Sequence, residues 1–295
     1  FAGTTAEPQT LYFSKSGDYE NMTAGTNADD AMIYTIASNQ VNKIRYLKAQ
    51  RTLIVGTTGG EFAVSADGTD AAVTPTNIVI KKQSSYGTAD VDAITAGNAI
   101  LFLQKAKRKI RELSYNFDVD GYVAPDLTIL NDIVTKSGIN DMAYQQEPDS
   151  ILWCVRDDGV FAGLTYQRSE NVIAWHRHKL GGTFGTGDSA TGYGVVESVA
   201  SISGELTEDE LYVIVKRTIN GATKRYIEVF APFDFDETLS TDFRFLDSHL
   251  TYSGSSTTTL SGLSHLEGQS VSILADGSTH ADKVVSSGSI TLDRS

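Results

Sequence analysis

Few residues in this chain have the types and spacing that chemistry requires. Trp175-His176-Arg177-His178 sets two imidazoles at i and i+2, which an extended strand would put on one face. Such a pair can begin a metal site if a third ligand arrives from elsewhere. No matching Cys or His motif accompanies it, and the polar face of an edge strand is the plainer reading. Lys105, Lys107, Arg108, Lys109 and Arg111 place five cations within seven residues. At a hairpin tip they can meet phosphates or an acidic partner, or form a solvated turn. Asp118-Val119-Asp120-Gly121 and Asp234-Phe235-Asp236-Glu237 alternate carboxylates, but neither continues to the distal glutamate of a calcium loop. Asp157-Asp158-Gly159 reads as a turn. Gly185-Thr186-Gly187 lacks the Lys-Ser/Thr ending of a phosphate loop and the strand-to-helix setting of a dinucleotide site. There is no Gly-x-Ser-x-Gly elbow and no evident Ser, His and Asp set. Paired acids for glycoside cleavage come from distant positions and leave no local mark. The expectation is no catalytic residue, no metal and no cofactor, with one candidate phosphate or partner contact at the five cations.

The elements that must carry these residues form a repeat. A polar turn, about five apolar or β-branched residues, a second turn and a returning strand recur over residues 51–65, 98–115, 149–166 and 208–230. The cores are Thr52-Leu53-Ile54-Val55, Ala99-Ile100-Leu101-Phe102-Leu103, Ile151-Leu152-Trp153-Cys154-Val155 and Leu211-Tyr212-Val213-Ile214-Val215. Strand-like segments precede them at 43–50, 91–97, 139–146 and 195–203. Return strands follow at 61–65, 109–115, 160–166 and 223–230. Further strands are expected at 77–83, 126–130 and 172–179, giving about four per unit. The spacing falls in the range of propeller blades and other β repeats. Each core is apolar at consecutive positions, so both faces should be buried. Residues 124–138 carry the best helix signal, with Pro125 near a start and Gly138 at a stop, and read as one short helix or an irregular connection. Residues 181–194 read as a mobile glycine-rich loop. From about Asp247 the chain turns Ser-, Thr- and Gly-rich, with strands at 271–274 and 283–285 and a hairpin turn at Asp276-Gly277. The expected fold is all-β: a β-propeller-like repeat of four-stranded antiparallel blades over 1–246, and a small β module over 247–295.

Composition bounds the function. The 295 residues carry 24 basic and 37 acidic side chains, net −13, and are 40% apolar. They can bury a substantial core. Net negative charge argues against a broad grip on nucleic acid, which depends on Lys and Arg replacing counterions. Cys154 is the one cysteine, so no intrachain disulfide is possible, and a buried hydrophobe is its ordinary role. No apolar run approaches the roughly 18 residues that span a membrane. The chain begins at Phe1 without a signal-like segment and is expected to be a fragment of a longer protein.

Several stretches resemble a known family. They are Leu11-Tyr12-Phe13-Ser14-Lys15-Ser16-Gly17-Asp18-Tyr19, Ile36-Ala37-Ser38-Asn39-Gln40-Val41-Asn42, Gln83-Ser84-Ser85-Tyr86-Gly87, Gly121-Tyr122-Val123-Ala124-Pro125-Asp126-Leu127, Met142-Ala143-Tyr144-Gln145-Gln146-Glu147-Pro148 and Ala174-Trp175-His176-Arg177-His178. Together, over about residues 10–235, they resemble the tail nozzle family of short-tailed bacteriophages, also called tail tubular protein B. Gly262-Leu263-Ser264-His265-Leu266-Glu267-Gly268 is similar to a small β domain often appended to such proteins. The resemblance implies a structural β-propeller subunit of the phage tail and virion, assembled in the host cytoplasm. It implies a ring of six copies that contacts upstream tail or adaptor proteins and tail fibres. DNA would pass through the ring during ejection without sequence-specific binding. The family offers no catalytic residue to carry over, and its N-terminal portion is not matched here. The alternative is a surface propeller that binds or cleaves glycans, with Trp153, Trp175 and the 13 tyrosines as a sugar platform.

Overall fold

The structure is a computed structural model, and it describes residues 1–38, 41–68, 71–204, 208–231 and 245–294. Strands β1 (Thr10–Phe13) and β2 (Met32–Thr35) pair with each other. A first four-stranded sheet follows in chain order: β3 (Ile44–Ala49), β4 (Leu53–Thr57), β5 (Gly60–Ala66) and β6 (Ile78–Ser84). The second holds β7 (Ile94–Ala96), β8 (Ala99–Leu103), β9 (Ile110–Asn116) and β10 (Gly121–Val123). The third holds β11 (Ile139–Gln145), β12 (Ile151–Arg156), β13 (Phe161–Gln167) and β14 (Val172–His178). Then come three strands, β15 (Val195–Ile202), β16 (Glu210–Ile219) and β17 (Ala222–Phe230). At the C-terminal end β18 (Thr259–Ser261) pairs with β21 (Ser289–Thr291), and β19 (Ser270–Ala275) with β20 (Ser278–Val284). The fold is all-β, built from blade-like antiparallel sheets. Among the described residues the helical segments are single 3-10 turns, and no helix is long and apolar enough to cross a membrane.

Contacts divide the chain into two compact units, residues 1–140 and 141–295. In the first unit, Tyr46, Ile54 and Ala63 cluster with Ile100, Phe102, Leu113 and Tyr122 of the neighbouring sheet and with Ala93 just before it. The other face of the first sheet, through Ile44, Val55, Phe62 and Val64, is covered by Leu11 and Ile36. Successive strand residues point to opposite faces, so covering both faces demands an unbroken apolar run. β8 follows the same rule, with all five residues buried. In the second unit, Trp153, Val155 and Phe161 pack on Val196, Val199, Leu211, Val213 and Val215. The last strands enclose a small core of Leu263, Val285 and Ile290.

Turn chemistry matches the sequence. Asn220 (φ 50°) and Gly221 (φ 74°) join β16 to β17, and Asp276 (φ 51°) and Gly277 (φ 76°) join β19 to β20. Both are positive-φ pairs of the kind that suits the twist of two-residue hairpins.

Two expectations change, and the alternative left open over 124–138 is decided. The strand expected over 126–130 is reduced to an isolated bridge between Arg111 and Asp126, and β10 supplies the fourth strand instead. Of the two readings of residues 124–138, a short helix or an irregular connection, the second holds: the segment runs as consecutive turns, with Asn131 N–H donating to Thr128 O, Val134 to Asn131 and Gly138 to Thr135. The Asp126 carboxylate accepts from the Thr128 N–H and hydroxyl at 2.8 and 2.5 Å, a local bond that competes with helix formation. Finally, the fourth apolar core is buried on one face only. Leu211, Val213 and Val215 are covered, whereas Ile214 is 36% exposed, because no described residue layers over its outer side.

Candidate functional site

The cationic hairpin joins β8 to β9. Gln104 N–H donates to Lys109 O at 2.8 Å, and Lys107 N–H to Gln104 O at 2.8 Å, with Lys107 in the left-handed region at φ 61°. The turn is pinned from outside by Ile139 N–H to Lys107 O (2.9 Å) and the Thr135 hydroxyl to Arg108 O (2.6 Å). Lys105, Arg108 and Lys109 are exposed, and Lys107 is half-buried. Lys107 Nζ donates to Asn140 Oδ1 at 2.7 Å. Lys109 Nζ pairs with Asp126 at 2.8 Å. Burial pushes the Asp126 carboxyl up, but the bonds from Lys109 and Thr128 outweigh it and hold the group below the usual carboxylate range.

Arg111 stands apart from the other four. It lies on β9, 8% exposed. Its guanidinium carbon sits 3.4 Å from the centre of the Tyr86 ring. Nε donates to Gln104 Oε1 at 2.8 Å and a terminal nitrogen to Ala124 O at 2.6 Å. Stacked and hydrogen-bonded, this side chain fastens the hairpin base. The cluster that could meet a phosphate or acidic partner is therefore the exposed Lys105, Arg108 and Lys109, with the half-buried Lys107 beside them.

The histidine pair does share one face of β14, and its partners show what it does. Strand register sets His176 opposite Gly163 and His178 opposite Phe161. His176 Nδ1 lies 2.7 Å from His178 Nε2, and His178 Nδ1 lies 2.5 Å from Asp247 Oδ1. With the Asp247 carboxylate accepting from His178 Nδ1–H, His178 Nε2 is left to accept from His176 Nδ1–H. The other Asp247 oxygen accepts the Lys179 N–H at 2.9 Å. Both rings lie against Trp153 at 5.3–5.4 Å between centroids, and Trp153 stacks on Phe161 at 4.8 Å. Burial, then the neighbouring His178, lowers the His176 pKa to about 4. The nitrogens are directed at one another and at Asp247, not at a common point. Among the described residues no group of three or more His, Cys, Asp or Glu could hold a metal.

The remaining candidates resolve into structure. The Asp120 carboxylate accepts the Tyr115 hydroxyl at 2.5 Å, and Asn116 Oδ1 accepts the Asp118 N–H, so this segment is a turn. Asp234, Asp236 and Glu237 lie outside the described residues. Asp158 pairs with Arg156 at 2.5 Å. The loop over 181–194 is tied down: Gly194 N–H donates to Leu180 O, Gly185 N–H to the Thr218 hydroxyl, and Arg217 Nε to Gly181 O. Trp153 is buried in the sheet core and Trp175 is half-buried, which takes both away from an open sugar platform. A cleft of about 590 Å³ in the first unit is lined by Phe13, Arg51, Asp67 and Lys81 among others, with Phe13 its one aromatic wall.

Sequence reading missed two groups. Asp247 binds His178 across 69 residues of chain, and no local signal marks it. Glu61 is fully buried on β5, where it accepts from the hydroxyls of Ser84 and Thr88. Burial pushes its carboxyl up. Tyr46, beside it, has its phenol pushed up by burial and then by Glu61. The one available clue to Glu61 was an acid placed inside an apolar return strand. No protein-family model matches the chain, and no curated protein matches it.

Proposed function

We propose that this chain is a structural wall subunit of a phage tail nozzle and has no catalytic role. Six copies stand in a ring at the distal end of the tail, joined to upstream tail or adaptor proteins and to tail fibres. The work is mechanical and electrostatic. Sheets covered on both faces resist deformation because close-packed interiors transmit strain instead of absorbing it. A net charge of −13 disfavours adhesion of a passing duplex, since adhesion needs cations that displace counterions. Lys105, Lys107, Arg108 and Lys109 are the local exception, a contact for phosphate or for an acidic neighbour.

The observation that carries this reading is the stack of antiparallel sheets whose polar side chains are spent on turns, ion pairs and buried hydrogen bonds. The family resemblance in the segments quoted above adds to it. Antibody raised against residues 1–295 should decorate the distal tip of a short-tailed virion in electron micrographs. Decoration of the capsid or of the fibre ends alone would sink the proposal. The glycan-binding alternative draws on the Phe13 cleft and on exposed tyrosines such as Tyr19 and Tyr252, and a glycan array with the pure chain separates the two readings.

A further inference from the structure

The connection from β10 to β11 is tied to the cationic hairpin at both of its ends. Leu127 N–H donates to Ile110 O at 2.9 Å, the Thr135 hydroxyl to Arg108 O at 2.6 Å and Ile139 N–H to Lys107 O at 2.9 Å. Leu127, Thr128, Val134 and Thr135 are buried and hold the excursion down. Its turns satisfy their own backbone, with Asn131 N–H donating to Thr128 O and Lys136 N–H to Ile133 O. Between these anchors Ile129, Leu130 and Ile133 are 74%, 97% and 66% exposed. A single exposed aliphatic is ordinary. Three within five residues, on a stretch fastened at both ends, make a fixed apolar tip.

The tip stands beside cations that are not spent elsewhere. Residues 104–110 and 126–140 hold five basic and two acidic side chains, net +3 in a chain of net −13. Lys109 and Asp126 cancel each other at 2.8 Å. Lys107 bonds the neutral amide of Asn140 and keeps its charge. Lys105, Arg108 and Lys136 are exposed, and among the described residues no ion pair engages them. Asp132 is the remaining acid of the stretch.

We propose that this tip docks on an anionic lipid bilayer: Ile129, Leu130 and Ile133 enter the boundary between headgroups and acyl chains, and Lys105, Lys107, Arg108 and Lys136 meet lipid phosphates. Buried aliphatic side chains and cations near an anionic leaflet are two signals, the number that stable attachment to an interface takes. The apolar residues are all aliphatic, without the Trp or Tyr anchor that protein hot spots favour, and fluid acyl chains accept them without a matching socket. The acids elsewhere on the chain count for little here, because at physiological salt charges beyond about 8 Å are screened. The inference rests on the phosphate reading of the hairpin given above and assigns that phosphate to a lipid. It does not need the ring, which stands or falls on where the chain sits in the virion.

Flotation with vesicles tests it. The whole chain should float with vesicles of phosphatidylcholine containing about one third phosphatidylglycerol, and not with phosphatidylcholine alone. Leu130→Asp should weaken that partition by roughly ten-fold or more, and so should the double change Lys105→Glu with Arg108→Glu. All three positions are exposed, so these changes leave the fold intact, which circular dichroism checks. Cys154 is fully buried, so an environment-sensitive dye on Leu130→Cys reports the tip alone, and its emission should shift to the blue on the anionic vesicles. No flotation at about 1 mM lipid, where even a single acyl anchor is largely bound, would overturn the proposal. Equal binding to both vesicles would overturn it too, as would loss through the cations with no effect of Leu130→Asp, which is charge adhesion without insertion. Capture of the chain on polyglutamate through the same cations, without flotation, would give the tip to an acidic protein instead. Each of these failures leaves the position of the chain in the virion untouched.

Discussion

At the scale of single residues, the five cations divide into a fastener and a display. Arg111 is buried against Tyr86, Gln104 and Ala124. Removing a buried, hydrogen-bonded guanidinium leaves those partners unsatisfied, so Arg111→Ala should cost about 2–4 kcal/mol in chemical denaturation. Lys105→Ala and Arg108→Ala, at exposed positions, should stay within about 0.5 kcal/mol of wild type. Equal costs for all three would contradict the division. The histidine pair yields a pH prediction. An imidazole whose pKa is about 4 in the fold and near 6.5 unfolded binds fewer protons folded than unfolded between those values. Stability of the second unit should therefore be full above about pH 6.5 and decline as pH falls towards 4. His176→Gln should flatten that slope in urea titrations followed across pH, and an unchanged slope would show that His176 is not its source. Neither division was legible in the sequence. Arg111 and Lys109 are two residues apart in one basic run, and only the fold puts one under a tyrosine ring and the other beside Asp126. His178 and Asp247 are far apart along the chain, where spacing carries no information.

At the scale of elements, Gly163 shows how tightly one strand seats another. A Cβ there would meet His176 Cε1 at 2.1 Å, and the ring is held by His178 and Trp153. Gly163→Ala should cost roughly 1–3 kcal/mol by forcing the imidazole off its seat, seen as a lower thermal midpoint and a changed His176 titration by NMR. A variant as stable as wild type would mean the ring moves freely. The strands themselves were readable. Runs such as Ala99-Ile100-Leu101-Phe102-Leu103 have no helical period, and the Asn-Gly and Asp-Gly turns close the hairpins where the positive φ angles fall. The fourth core was misread because an apolar run reports that a strand can be covered twice, not that it is. The segment over 124–138 carried a Pro start and a Gly stop, yet it buries Leu127 and Val134 while Ile129, Leu130 and Ile133 are 74%, 97% and 66% exposed, so its apolar residues are not gathered on one covered helical face.

At the scale of the whole molecule, charge decides how the chain treats a polyanion. With net −13 against four clustered cations, three of them exposed, filter binding should show no retention of duplex DNA at about 0.15 M salt, and only weak, salt-sensitive retention at low salt. Tight binding that survives at physiological salt would defeat the sliding mechanism. The same molecule carries its own clock for breathing. The lone thiol, Cys154, belongs to the second unit, is sealed at 0% exposure and has its pKa pushed up by burial, so a disulfide reagent can reach it only after that unit opens. Because thiolate is the attacking species, the rate of colour release measures the opening of residues 141–295 alone, and comparison with amide hydrogen exchange over residues 1–140 would tell whether the first unit opens in the same event.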